Sequence, residues 1–394
     1  MKKITFALLL AVVYTMTLQA KEVTVNGIMY TLLVDDRAEV LSAKSVGGDV
    51  TIPATITDGG KTYKVESIFD EAFDSNENVT SITVEGNNML YIGDNAFQYC
   101  TKLKTVSLPE SVVSIGEGAF LGSGLETFKM PPVQSMGDGM FEDCYKLKSV
   151  ELNAKNIKVL PKDTFFSTGL TSITIPKGFT TLGERSIALC SNLTSVSLPN
   201  TLTTIGNKVF QSCSRLVKLD FPSSLKTIGD DCFYENNLKT IILPNGLTSM
   251  GKNTFNKNNA MELLVLPPSL TQLGDHNFYY FKKLKRAYFK AHVILQQSNS
   301  NFTFGDLTQT VFVVPEELEY SYMMNDFWGK YKFGPDMIFD VNLDYEVDIA
   351  DINLIIDAIL GLGNAATVYA SDVNEDGVAD IADVNLMIDL ILDL

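Results

Sequence analysis

Two short acidic stretches near the C-terminus have the residue types and the spacing to hold metal ions. The first comprises Asp340, Asn342, Asp344, Asp348 and Asp351; the second comprises Asp372, Asn374, Asp376, Asp380 and Asp383. In each, oxygen-bearing side chains fall at positions 1, 3, 5, 9 and 12 of a loop, and the backbone carbonyls of Glu346 and Val378 enter at position 7. An all-oxygen ligand set at these intervals suits a hard cation, and calcium above all, so two calcium ions are expected. The loops start 32 residues apart and match position for position, which a merely solvated acidic hairpin would not require. Four aspartates crowd each site. Their mutual repulsion should loosen the metal-free segment, and binding should order it. Gly377 takes the sharp-turn position of the second loop, whereas the first has Tyr345 there, so the first site is expected to bind more weakly.

No other constellation points to chemistry. The two histidines, His276 and His292, have no triad or metal-ligand pattern around them, and there is neither a Gly-x-Ser-x-Gly elbow nor a phosphate-cradling glycine loop. Carboxylates outside the two loops stand at variable positions of a repeat, where solvated surface is the ordinary reading rather than a glycosidase pair. The expectation is a non-catalytic protein.

Each acidic loop needs a rigid neighbour to hold it, and both run into apolar helical stretches, Ile352 to Leu360 and Val384 to Leu392. From Asp340 to the C-terminus there are 13 acids and no Lys or Arg, whereas the preceding residues are nearly balanced. A charge asymmetry this local marks a separate module. The overall charge of -16 also argues against a nucleic-acid partner, which would need a basic surface.

The rest of the chain is dominated by a repeat. An aliphatic residue, usually Gly, two variable residues, a small residue and Phe recur as Ile92 to Phe97 and Ile115 to Phe120. The aromatic position continues through Phe141, Phe165, Ile187, Phe210, Phe233, Phe255 and Phe278, with Phe73 as a less regular first copy, at intervals of 21 to 24 residues. Between these run Leu-x-x-Val/Ile-x-Leu/Ile-Pro phrases, such as Leu103 to Pro109 and Leu193 to Pro199. Their alternation predicts a strand buried on one face, and proline, lacking an amide, ends it. No unit could bury its apolar face alone; stacked at about 4.8 Å, the units build a core and a parallel sheet. Four of the five cysteines, Cys100, Cys144, Cys190 and Cys213, come three residues after a recurring Phe or Ile, and Cys232 precedes Phe233. They read as small buried groups rather than a disulfide framework.

The outward strand positions would line an exposed face, and in the middle these are Thr105, Ser107, Ser172, Thr174, Ser195 and Ser197. Thr127, Lys129, Ser149, Glu151, Lys218, Asp220, Thr240, Arg286 and Tyr288 extend the set toward charged and aromatic types. Such a face suits a protein or glycan surface. At the N-terminus, Lys2 and Lys3, an apolar run from Ile4 to Val13 and Ala20 before Lys21 read as a secretory signal, the run being too short to span a bilayer. An exported protein with no transmembrane segment, secreted or associated with the cell surface, is expected.

The Ile-Gly-x-x-Ala-Phe and Leu-x-x-Val-x-Leu-Pro phrases resemble the BspA-type leucine-rich repeat of bacterial surface proteins, over about residues 65–310. Leu160-Pro161 and Ile187 are single-unit departures. The loop-helix pair resembles a type I dockerin, over about residues 338–394. The first resemblance implies an adhesin-like solenoid; the second implies docking to a cohesin or cell-surface scaffold through loop positions 10 and 11, here Ile349-Ala350 and Ile381-Ala382. The expected architecture is thus a β-rich α/β repeat solenoid followed by a small all-α calcium module. In order these are a signal peptide (1–20), an N-terminal cap (21–64), the solenoid (65–310), a C-terminal cap and linker (311–337) in which Trp328 packs on the last repeat, and the module (338–394). The alternative is a component of an extracellular polysaccharide-degrading complex.

Overall fold

In the computed structural model the described residues are 21–277, 280–284, 286–291, 310–325, 328–335, 341, 349–363, 370–373 and 377–393. The signal-like segment, Phe278, His292, Tyr345 and the loop residues Asp340, Asn342, Asp344, Glu346, Asp348, Asn374 and Asp376 lie outside them. The chain divides into two compact units, one of Met1–Phe179 with Gly183–Cys190, the other of Thr180–Leu182 with Ser191–Leu394.

The first unit opens on an antiparallel hairpin, Lys21–Val25 with Ile28–Leu32, that leads into Arg37–Ser42. From there pairing is mainly parallel. Arg37–Ser42 pairs with Lys61–Ile68, and that strand with Tyr91–Ile92. The ladder continues through Ser114–Ile115 to Ser135–Met136, each in unbroken register. A second parallel ladder joins Gly48–Ile52, Val79–Val84 and Thr105–Ser107, and a third joins Thr127–Lys129 to Ser149–Glu151. The expected solenoid is present, but each turn carries two strands rather than one, because the aliphatic residue before each Gly is itself paired to its copy in the next turn.

The return segment is not helical, so the repeats are β and turn rather than α/β. The reason is local. Asn95 and Tyr99 stand at φ +54° and +52°, and equivalent pairs recur, such as Asp163 and Ser167 at +56° and +60°. A left-handed residue every four positions breaks an α-helix of L-amino acids. The glycine that precedes this segment is required by close approach: a Cβ on Gly116 would lie 2.3 Å from Asp94 Oδ1 and 2.7 Å from Asp94 N in the preceding turn. That same Asp94 carboxylate accepts a hydrogen bond from Glu117 N at 2.8 Å, so one side chain stitches two turns together.

The core is a column of phenylalanines. Phe97 and Phe120 stack at 5.3 Å between centroids, Phe120 and Phe141 at 5.5 Å, Phe141 and Phe165 at 5.5 Å, with planes within 7°. In the second unit Phe210, Phe233 and Phe255 repeat this at 5.3 Å. All five cysteines are buried and none forms a disulfide. They do a polar task there. Cys100, Cys144 and Cys190 donate Sγ–H to the carbonyls of Phe73, Phe120 and Phe165 at 3.1, 3.0 and 3.1 Å. Asn236 and Asn258 make the same bond through Nδ2 to Phe210 and Phe233, both at 2.8 Å. In these turns the position three residues after the aromatic thus donates to the aromatic's carbonyl in the preceding turn, adding to the backbone N–H that Phe73 and Phe120 already accept, and either Cys or Asn can fill it.

The second unit carries a parallel ladder through Thr181–Leu182, Thr204–Ile205, Thr227–Ile228, Ser249–Met250 and Gln272–Leu273. It also carries a five-stranded parallel sheet of Thr240–Ile242, Leu263–Leu266, Arg286–Phe289, Val311–Val314 and Lys332–Pro335. The helix Glu316–Met323 comes directly after Pro315. Trp328 is 1% exposed and meets Phe289, Phe312 and Tyr322 at 5.4, 6.0 and 5.8 Å, so the single tryptophan is a packing residue of this sheet.

Two helices, Ile349–Ile359 and Ile381–Asp393, form the C-terminal module. Its buried cluster is Val341, Ile352, Ile355, Val373, Val384 and Met387. These are three pairs related by the 32-residue shift already seen in the loops. The duplication is therefore in the core as well as in the acidic positions.

Candidate functional site

The acidic loops are described in part. Asp372 Oδ2 accepts a hydrogen bond from Gly377 N at 2.9 Å, closing the turn at the residue that stands at φ +96°. Gly377 therefore does what its position asked of it, since a side chain is strained at that φ. At the far end of the same loop Asp380 Oδ1 accepts from Ala382 N at 2.7 Å, and Asp383 Oδ2 accepts from Asp380 N at 2.8 Å. That reciprocal pair caps the helix starting at Ile381. Asp351 and Asp383, the position-12 residues, are both fully buried at the starts of their helices.

Carboxylates sunk into a segment that holds no Lys or Arg fit a bound cation as the source of their compensating charge. Among the described residues no three acidic, histidine or cysteine side chains converge on one point, the central ligands lying outside them. Val378, whose carbonyl would serve at position 7, is 59% exposed in its side chain. At loop position 10, Ile349 and Ile381 are 65% and 66% exposed, a mirrored pair of large apolar groups in water. Ile356 and Ile388 repeat the relation at 40% and 37%. Ala350 is half-buried and Ala382 exposed.

On the strands, Thr105, Ser107, Thr127, Lys129, Ser149 and Glu151 are exposed as the alternation predicted, and so are Ser172, Thr174, Ser195 and Ser197. Thr127 registers with Ser149 and Lys129 with Glu151, so hydroxyls and opposite charges form columns along the face. Lys218 and Asp220 lie in no strand but form an exposed ion pair at 3.2 Å. The aromatic end of the expected strip is a correction. Tyr288 is only 6% exposed and clusters with Leu263, Val265 and Val313, and Thr240 is half-buried. Arg286 stands in the same sheet, in register with Leu263 and Val311. The continuous apolar run Leu263-Leu264-Val265-Leu266 was the signal, since a strand covered on both faces does not alternate.

A second feature has no counterpart among the sequence motifs. In the first unit Tyr99 and Tyr145 are 47% and 67% exposed on the return edge. Gly122 lies under the first of them, where a Cβ would come 2.4 Å from Tyr99 Cδ1. Tyr145 donates to Asp143, and that hydrogen bond lifts its phenol above the usual value. His276 stands at a left-handed turn position, φ +67°, that the repeat fills with many residue types.

Parallel ladders, a stacked aromatic column and a twenty-odd-residue period define a leucine-rich solenoid. The chain belongs to the BspA type leucine rich repeat family, whose profile matches residues 66–194 and 180–303 in six copies. No curated protein is similar enough to count as a match. Among solved structures it is similar to a leucine-rich repeat protein from Bacteroides ovatus, at 20% identity and TM-score 0.52, over 79% of this chain and 99% of that one. It is also similar to a leucine rich cell surface protein from Faecalibacterium prausnitzii, at 22% identity and TM-score 0.42, over 81% and 95% of the two chains. The pneumococcal vaccine antigen PcpA matches at 19% identity and TM-score 0.47, over 80% and 99%. Among the described residues no helix is long and apolar enough to cross a membrane.

Proposed function

We propose that this is a secreted or cell-surface interaction protein of adhesin type, whose solenoid binds an extracellular macromolecule and whose C-terminal module docks, with calcium, to a cohesin-like scaffold. Membership of the BspA type family supports the first half, together with the exposed polar columns of Thr127, Ser149, Lys129 and Glu151. The observation that carries the docking half is the mirrored exposure of Ile349 and Ile381. Isolated apolar residues on a surface need no explanation, but two at equivalent places on a duplicated module offer a partner the same contact in two orientations. Calcium would be held by Asp340, Asn342, Asp344, Glu346, Asp348 and Asp351 in the first loop. Asp372, Asn374, Asp376, Val378, Asp380 and Asp383 would hold it in the second, and it would fix the loops that present Ile349 and Ile381.

The test is capture of an envelope protein from the producing cell by the full chain, with calcium and with chelator. Capture should fail with chelator and in the Ile349→Asp, Ile381→Asp double variant. Capture indifferent to both would overturn the docking half. Tyr99 and Tyr145 favour a second reading, a non-catalytic component of a polysaccharide-degrading complex, because exposed aromatic rings beside a hydrogen-bonding carboxylate suit sugar faces. Retention on immobilised polysaccharide, lost on Tyr99→Ala and Tyr145→Ala, would separate it from the first; hydrolysis by the purified chain would overturn both.

A further inference from the structure

Single aromatic rings in water need no explanation. Tyr99 and Tyr145, both in the first unit, differ from scattered surface residues in three respects. The first is a space cleared for one ring. Each turn holds the residue two positions after its core aromatic in the left-handed region. Tyr99, Gly122, Asp143, Ser167 and Leu189 stand there at φ +52°, +63°, +58°, +60° and +58°. Four of these five are not glycine, so the backbone alone does not call for one. Gly122 answers to Tyr99 instead, whose Cδ1 and Cε1 would lie 2.4 and 2.7 Å from a Cβ at that place. The Tyr99 ring therefore lies along the solenoid, over the next turn, in a slot that only glycine leaves open.

Spacing is the second respect. Tyr145 belongs to the turn after Gly122. Its hydroxyl donates to Asp143 and is also hydrogen-bonded to Ser167, one turn further on. Both rings thus lean over the following turn, and the two-turn offset of their backbones is kept between the rings. Phe97, Phe120 and Phe141 succeed one another at 5.3 and 5.5 Å in the core beneath. The rings accordingly recur at roughly 10 Å, two strand spacings. The third respect is polar. Asp143 and Ser167 stand beside the second ring and can pair with hydroxyl groups. The adjacent Glu142 carboxyl is lifted by burial first and then by the charges of Asp163 and Asp143, so further negative charge is unwelcome there.

We infer that Tyr99 and Tyr145 are a two-ring platform for a neutral β-1,4-linked hexose chain, stacking on every second sugar while Asp143 and Ser167 bind hydroxyls at the second ring. In such a ribbon each sugar advances the chain by about one solenoid turn and is flipped relative to the one before. The same apolar C–H face therefore recurs at two-turn intervals, in step with the rings. Chains linked α-1,4 or β-1,3 curl and lose that step. The inference rests on the glycan reading above, and adds to it the linkage, a trisaccharide as the shortest full ligand, and the part played by Gly122.

The experiment is calorimetric titration of the full chain with cello- and manno-oligosaccharides, from disaccharide to hexasaccharide. In at least one series affinity should rise by about tenfold between the disaccharide and the tetrasaccharide, the gain from a second stacked ring, and then level off. Maltohexaose, laminarihexaose and oligogalacturonate should bind more weakly than the matching β-1,4 hexasaccharide. The length series uses the unaltered chain and so does not depend on any variant folding. Tyr99→Ala and Gly122→Ala, checked by thermal melting, should each abolish the length step. A flat length series, or tighter binding of maltohexaose or laminarihexaose that Tyr99→Ala removes, overturns this inference and leaves the glycan reading standing. Oligosaccharide binding indifferent to Tyr99→Ala overturns the platform, and no binding of any glycan overturns both.

Discussion

Arg185 grips Asp163 with two parallel hydrogen bonds, Nε to Oδ1 and Nη2 to Oδ2, both at 2.7 Å, across adjoining turns of the solenoid. Both residues occupy left-handed turn positions, at φ +53° and +56°. The guanidinium also sits 5.0 Å from the Phe166 ring centre, and the hydrogen-bonded carboxylate raises its pKa further. Arg185→Met leaves a carboxylate that is 8% exposed with only Lys162, at 3.7 Å, as its cation. The expected loss is about 1–3 kcal/mol, below that of a fully buried pair because the arginine is partly in water. Arg185→Lys should recover little of it, since lysine cannot make the paired contact. Thermal denaturation of these variants, with the Asp163→Asn, Arg185→Met double variant losing less than the sum of its parts, checks the claim.

Phe141 is stacked against Phe120 and Phe165 at 5.5 Å on either side and meets Phe128 edge-on at 5.0 Å. Phe141→Ala should cost about 3–5 kcal/mol. Because each turn contacts only its neighbours, the damage should be local. Hydrogen exchange is expected to rise in the turns carrying Phe120, Phe141 and Phe165 while the Lys21–Val25 hairpin is unchanged. A uniform rise across the unit would contradict nearest-neighbour stability.

The phrases at Ile92 to Phe97 and Leu103 to Pro109 were legible because burial acts on them in every turn and so repeats them. The two-residue ladder at Tyr91–Ile92 was not, since two residues show no alternation. The helix-free return was equally hidden: left-handed residues such as Tyr99 and Asp163 are not glycines, and only stacking against the next turn forces them there. At the module, the acidic spacing displayed a loop, but the pairing of Val341 with Val373 and of Ile355 with Met387 emerges only when the two helices meet. Tyr288 misled because alternation assigns a side and not what lies over it.

The cysteines predict a pH window. Burial pushes Cys100 and Cys144 up to about 12, from an ordinary value of 9.0. Burial likewise raises Cys232. In the unfolded chain the thiols ionise from about 9, while the folded ones hold their protons, so the folded state binds more protons in between. Stability is therefore full below about pH 9 and falls as the pH rises toward 12. Thiol reagents at neutral pH should find none of the five in the native protein and all of them in denaturant. A thiol reacting rapidly before unfolding would contradict the buried column.

Calcium binding can be separated from helix capping at Asp383, whose carboxylate both accepts from Asp380 N and stands at loop position 12. Asp383→Asn keeps an oxygen able to accept that bond but removes a charge from the ligand set. Affinity at the second loop should fall by on the order of tenfold or more, with the helix Ile381–Asp393 retained in calcium. Tyr345→Gly should act in the opposite direction on the first loop, by giving it the residue that Gly377 supplies at φ +96° in the second. Calorimetric titration of the full chain resolves the two changes as one weakened and one strengthened site. If Asp383→Asn left both sites intact, the capping role alone would account for its burial, and the module would owe its order to the Val341 to Met387 core rather than to metal.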